Sequence, residues 1–309
     1  MTLHPQSQAF LNQLAEQPTP SWEELGITES RRVFEQFAQF AGHAPELTRV
    51  ESLQVDDAPP MRLYADSNAD DLPVIVYFHG GGWVLGSLDS HDALCRRIAV
   101  DSGCAVVAVD YGRSPENAFP GPIEDAIAAT LAVSRNASAW RLNADRIAVA
   151  GDSAGGHLAA SVAIAARDRS DLSLAAQLLI YPVIAPRFDT DSYINYAEGF
   201  GLTRDVMRWF WRQFLGEKQP DATCVPAIVS DLTGLPDTLL LTAEYDVLHD
   251  EGSSYADSLK CAGVDVESFS GDGMLHGFIH LAGIFESGLT LGREVAARLG
   301  ARLRSVVSR

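Results

Sequence analysis

Two hydrophobic patterns alternate along this chain. Short, unbroken apolar runs occur at Leu72–Phe78, Gly103–Asp110, Arg146–Ala150, Ala176–Pro182 and Leu239–Ala243. Between most of them lie longer stretches in which apolar residues return every three or four positions. A strand buried on both faces has no polar side to show, whereas a helix lying on a sheet shows a 3.6-residue rhythm. The alternation predicts parallel β-α-β units and an open, mostly parallel sheet with helices on both faces. Residues 48–64 predict a strand pair turning at Asp56–Pro60, and Val264–Phe269 alternates like a strand exposed on one side.

The helices carry their own punctuation. Phe10, Leu11 and Leu14 fall at helical spacing, as do Val33, Phe34, Phe37 and Phe40, with Pro18-Thr19-Pro20-Ser21 between the two groups. Ser90 is placed to cap a helix running to about Asp101, and Phe119-Pro120 leads another. Asp250 is placed to cap a helix ending near Cys261 and closed by Gly263; a long last helix spans about Glu286 to Ser305. Residues 183 to about 225 break the rhythm. There Thr203 caps a helix that stops at Gly216 and carries Val206, Met207, Trp209, Phe210, Trp211 and Phe214. Such a stripe is too large to face water, and it serves both a packed core and a lid over an apolar pocket.

Candidate chemistry sits where apolar runs end. Ala148-Val149-Ala150-Gly151-Asp152-Ser153-Ala154-Gly155-Gly156 reads as strand, sharp turn and helix, with Ser153 at the apex. Side chains at Gly151 and Gly155 would collide with neighbouring backbone in so tight a turn, and the helix start offers free N–H groups beside the serine. His79-Gly80-Gly81-Gly82-Trp83 follows a buried strand, and its three glycines leave backbone N–H groups open to a carbonyl oxygen. A serine hydroxyl needs a base, and the base an orienting carboxylate. Acids follow the Leu239–Ala243 strand: Glu244, Asp246, Asp250 and Glu251. Asp246 lies in the first loop turn, from which it can reach the next loop. Among His249, His276 and His280, His276 stands in a glycine-rich loop that lets it turn inward, while His280 sits in an apolar segment and His157 on the elbow helix, where packing is expected.

Composition narrows the class. The 309 residues are 47% hydrophobic and 21% charged, as in a soluble globular protein, and 41 acidic against 23 basic residues leave a charge of −18. That balance argues against nucleic acid and anionic membrane surfaces as partners. No apolar run reaches the ~18 residues of a membrane span, and no signal-peptide pattern opens the chain, so the expected compartment is the cytoplasm. Cys95, Cys104, Cys224 and Cys261 form no C-x-x-C pair and are expected to be buried free thiols rather than metal ligands.

Taken with Asp246-Val247-Leu248-His249-Asp250-Glu251-Gly252 and Met274-Leu275-His276-Gly277-Phe278, the glycine loop and the serine turn resemble the hormone-sensitive-lipase-like family. These are the bacterial family IV esterases of the α/β-hydrolase fold, with the GDSAG form of the elbow. The likeness runs from about Met61 to Phe278. It implies Ser153 as nucleophile, His276 as base and Asp246 as its orienter, with Gly81, Gly82 and Ala154 supplying the oxyanion hole. It also implies hydrolysis of short- to medium-chain carboxylic esters without metal or cofactor, and association as a homodimer. A helical cap would comprise residues 1–45 and 183–225, with 46–182 and 226–309 as the catalytic domain. Trp83, Phe200, Met207, Phe210 and Phe278 are candidates for the substrate pocket. Two positions depart from the family pattern: Tyr111-Gly112-Arg113-Ser114-Pro115-Glu116 replaces Tyr-Arg-Leu-Ala-Pro-Glu, and His157 stands where asparagine is usual. A binding protein on the same scaffold, or hydrolysis of amides by the same triad, are the rival functions.

Overall fold

The computed structural model describes residues 2–16 and 20–306. The chain opens with α1 (Pro5–Glu16) and α2 (Trp22–Glu35), then the hairpin of β1 (Arg49–Leu53) and β2 (Met61–Ala65). There follow β3 (Leu72–Phe78), α3 (Asp92–Ser102), β4 (Ala105–Val109), α4 (Gly121–Asn136), β5 (Leu142–Asp152), α5 (Ala154–Arg167) and β6 (Ala176–Ile180). Next come α6 (Asp191–Asn195) and α7 (Arg204–Leu215), and the chain ends with β7 (Asp237–Tyr245), α8 (His249–Cys261), β8 (Val266–Leu275) and α9 (Glu286–Ser305). Pro18 and Thr19 of the expected break before α2 lie outside the described residues.

The strands make one eight-stranded sheet in the order β1-β2-β4-β3-β5-β6-β7-β8. Every pairing from β4 through β8 is parallel, and the β1–β2 and β2–β4 pairings are antiparallel. This is the α/β-hydrolase fold, with a core on each face of the sheet. One core joins Val74, Val76, Val149 and Leu240 to α4, α5, α7 and α8; the other joins Ile75, Ala148, Leu178 and Leu241 to α3 and α9. The unbroken apolar runs are thus strands whose alternate side chains serve opposite cores.

Several expectations give way to tertiary contacts. Ser90 does not cap α3; its hydroxyl accepts from Ser87 N–H and lies 2.9 Å from His91 Nδ1, and the helix begins at Asp92. Asp250 does not cap α8, which starts at His249, because its carboxylate accepts from Ser192 N–H (2.8 Å). The glycine-rich segment before His276 is strand rather than loop as far as Leu275: Glu244 accepts from Gly273 N–H and His4 N–H donates to Gly273 O. Of the four free cysteines, Cys261 is exposed and the other three are buried. Thr203 does cap α7, its hydroxyl accepting from Val206 N–H.

Candidate active site

Strand β5 carries the chain into the sheet's C-terminal edge and stops at Asp152. Ser153 follows at φ +57°, in the left-handed region, and α5 begins at Ala154. The strained turn holds because its neighbours over-determine it: Ser153 N–H donates to Ile180 O (2.8 Å), and Val183 N–H to Ser153 O. Glycine is required beside it, since a side chain at Gly155 would collide with the Phe78 carbonyl.

The ends of β7 and β8 bring two partners to this serine. The Ser153 hydroxyl donates to His276 Nε2 at 3.0 Å, and His276 Nδ1–H donates to Asp246 Oδ2 at 2.6 Å. Asp246 is 1% exposed, and its other oxygen accepts from Leu248 N–H (3.0 Å), so the carboxylate is fixed from both sides. The ring of Tyr181 lies 4.7 Å from that of His276. The rival candidates are occupied elsewhere. His280 Nε2–H donates to Ser90 O, His249 Nδ1–H donates to Ala243 O, and Glu251 accepts from Ile184 N–H.

The glycine loop leaves β3 beside β5, where Phe78 pairs with Gly151. Gly81 (φ +111°) and Gly82 (φ +61°) both need glycine's freedom. Contact reinforces this: a Cβ at Gly81 would sit 2.5 Å from Leu85 O, and one at Gly82 would strike the Phe210 ring. Helix α2 straps the segment beyond. Arg31 Nε–H donates to Val84 O (2.9 Å), and its guanidinium grips Glu116 through two oxygens and Ser114 O. Neither the strap made by Arg31 nor the ring contact of Tyr181 with His276 follows from the sequence pattern; the signal available was a guanidinium on an otherwise amphipathic helix and an aromatic residue at a strand end.

With this geometry in view, the family is decided by comparison. A family model described as alpha/beta hydrolase fold matches residues 75–280, from the strand before the glycine loop to beyond His276. The chain belongs to the α/β-hydrolase family. Its hormone-sensitive-lipase-like character is supported by its relatives. The chain is 40% identical over 245 residues to carboxylesterase NlhH of Mycobacterium tuberculosis, covering 77% of each. It is 34% identical over 302 residues to the ethyl acetate hydrolase of Pseudomonas putida, covering 93% of this chain and 95% of that one. Among solved structures, an α/β-hydrolase enzyme from the metagenome of Lake Arreo, Spain, superposes with a TM-score of 0.92 at 35% identity, covering 98% of this chain and 99% of the other. A thermostable esterase from Pseudomonas putida superposes at 0.91 with 34% identity, covering 98% of each.

As an α/β-hydrolase the chain spends two of its five pocket candidates otherwise. Trp83 has no exposed surface. At φ +62° its ring turns into the core, stacks on Phe214 (4.4 Å) and donates Nε1–H to His157 Nδ1 (3.2 Å). Phe278 is likewise fully buried, against Tyr181 and beneath Gly271. Both rings are taken up by these core contacts. Met207 and Phe210 are buried on α7, with Phe210 against Gly82, while half-buried Phe200 stacks on Tyr245. Among the described residues no three His, Cys, Asp or Glu side chains are grouped to hold a metal ion, and no helix is long and apolar enough to cross a membrane.

The buried histidines make a pH prediction. Burial pushes His79 down to about 3 and His157 and His280 to about 4, from an ordinary 6.5. An unfolded chain therefore binds protons at these rings below pH 6.5 that the folded chain refuses, so stability is full above pH 6.5 and is lost toward pH 4. Glu251 opposes this: burial pushes its carboxyl well above the usual 4.5, so the folded chain keeps a proton that the unfolded one releases. Near pH 5 three histidines against one glutamate leave about two protons of difference, or about 3 kcal/mol per pH unit from these groups. Melting temperature should fall steeply from pH 6.5 to 4.5, and His157→Asn should flatten the slope.

Proposed function

We propose that this carboxylic ester hydrolase works as a serine esterase on short- to medium-chain esters. The observation that carries it is the continuous chain of hydrogen bonds from Ser153 through His276 to Asp246. In this reading Ser153 Oγ attacks the ester carbonyl while His276 Nε2 takes its proton. The carbonyl oxygen, now negative, lies against the N–H groups of Gly81, Gly82 and Ala154, the last at the positive end of α5. His276 then protonates the leaving alcohol. Water, deprotonated by the same imidazole, attacks the acyl-serine and frees the acid.

A cap built from residues 1–45 and 183–225 would cover this centre, with 46–182 and 226–309 as the catalytic domain. Contacts support that division: Phe210 of α7 rests on Gly82, and Arg212 of the same helix pairs with Glu23 of α2 at 2.8 Å. Phe210, Met207 and Phe200 then set the depth of the acyl pocket. The closeness of Phe210 to Gly82 favours short chains. The test is hydrolysis of p-nitrophenyl acetate, butyrate, octanoate and palmitate. Turnover should peak at acetate or butyrate, and Phe210→Ala should move the peak toward octanoate; a maximum at palmitate in the wild type contradicts this pocket. A folded wild type that binds but hydrolyses none of the four would leave the binding-protein alternative standing.

A further inference from the structure

Asp152 precedes the nucleophile, and the chemistry above gives it no task. Its carboxylate is 4% exposed. One oxygen, Oδ1, accepts from the Tyr77 hydroxyl (2.7 Å) and from Gly80 N–H (3.0 Å), and His91 Nε2 approaches the same oxygen to 3.4 Å. These partners come from β3, from the first glycine of the loop after it, and from the start of α3. Gly80 fits so closely that a Cβ there would strike the carboxylate. His91 is itself immobilised. It stacks on His280 at 4.2 Å and 2°, meets the Ser90 hydroxyl through Nδ1, and lies under Phe34.

A buried carboxylate is costly unless partners meet it. Burial alone raises the Asp152 carboxyl, but His91, His280 and the Tyr77 hydroxyl outweigh it and hold the group well below the usual carboxylate range. The anion therefore sits in the protein's interior one residue from Ser153, bonded to the loop whose next two N–H groups the reading above assigns to the oxyanion. Oxyanion donors work by being in place before charge develops, so a loop that drifts by an ångström loses much of their effect.

We propose that Asp152 is a positioning residue: with Tyr77 and His91 it pins Gly80, and so fixes the Gly81 and Gly82 N–H groups relative to Ser153. The inference rests on the serine-esterase reading above.

The test compares Asp152→Asn, Asp152→Ala and Tyr77→Phe on p-nitrophenyl butyrate. It adds inhibition by an alkyl trifluoromethyl ketone of matched chain. That ketone takes the Ser153 oxygen at its carbonyl carbon, passes the serine proton to His276 and leaves a hemiketal oxyanion in the hole. Asparagine keeps Oδ1 as acceptor, so Asp152→Asn should hold kcat within about fivefold, the difference between charged and neutral hydrogen bonds. Asp152→Ala frees Gly80 and should lower kcat about 10- to 100-fold with KM within about threefold, by analogy with loss or displacement of one oxyanion donor. Affinity for the ketone should fall by the same factor as kcat/KM. Tyr77→Phe should move both readouts in the same direction by about 3- to 10-fold, less than the full worth of a hydrogen bond to a charged group because the bond from Gly80 N–H to the carboxylate survives. It decides the matter if Asp152→Ala does not fold. A folded Asp152→Ala with wild-type kcat, or variants that lose only melting temperature while ketone affinity stays constant, overturns the proposal. A wild type with no Ser153-dependent hydrolysis overturns the underlying reading instead.

Discussion

Ser153→Ala should abolish hydrolysis, lowering kcat by about 10⁶-fold while the fold persists, as expected when the nucleophile of a serine triad is removed. The substitution deletes one oxygen and the 3.0 Å bond to His276, and nothing else that holds the turn. The bonds from Ser153 N–H to Ile180 O and from Val183 N–H to Ser153 O belong to the backbone and survive. Alanine is strained at φ +57° much as serine is, so melting temperature should stay close to wild type. Ester turnover should lose its initial burst of p-nitrophenol, because no acyl-serine can form. Covalent labelling by a fluorophosphonate should vanish with it. Activity that survives in a folded Ser153→Ala would place the nucleophile elsewhere, and with it the roles given to Gly81, Gly82 and Ala154.

Steric necessity and double-sided burial are what made most of this fold legible in the sequence. The runs at Leu72–Phe78 and Arg146–Ala150 read as strands because β3 and β5 are covered on both faces. The elbow read as an elbow because Gly155 lies under the Phe78 carbonyl and tolerates no other residue. What was not legible depends on partners distant in the chain. Ser90 has the chemistry of a helix cap, but hydrogen bonds to Ser87 and its approach to His91 claim its hydroxyl first. Trp83 follows a glycine loop, and sequence cannot say on which side of that loop its ring falls. A positive φ and an imidazole 74 positions away decide that it falls inward. The departure at His157 is explained by the same contact: Nδ1 accepts from Trp83 while Nε2–H donates to Cys224 O, so the ring bridges the glycine loop and the loop after α7. Arg31 and Glu116, 85 positions apart, carried no shared pattern at all.

Asp246→Asn should lower kcat by about 10⁴-fold with KM little changed, the effect of turning a triad histidine into the wrong tautomer. The argument is geometric. Oδ2 accepts the Nδ1–H of His276 at 2.6 Å, which leaves Nε2 bare to take the serine proton. An asparagine keeps the Leu248 N–H bond through Oδ1, so its NH₂ group is turned toward His276. Two donors cannot share that contact. The proton moves to Nε2, where it meets the serine hydroxyl and blocks its deprotonation. The neighbouring acids supply the control. Asp250→Asn removes the charge facing Ser192 N–H while its amide oxygen still accepts that bond, and Glu251→Gln changes a group bonded to Ile184 N–H; neither touches His276. Both variants should keep kcat within about tenfold of wild type, since each alters hydrogen bonds away from the reacting atoms. Equal losses at Asp246 and Asp250 would mean that the carboxylate acts through the stability of the β7–α8 junction rather than through the imidazole. A selective loss at Asp246 assigns the orienting role to a carboxylate that His276 and Leu248 N–H fix from both sides before substrate arrives.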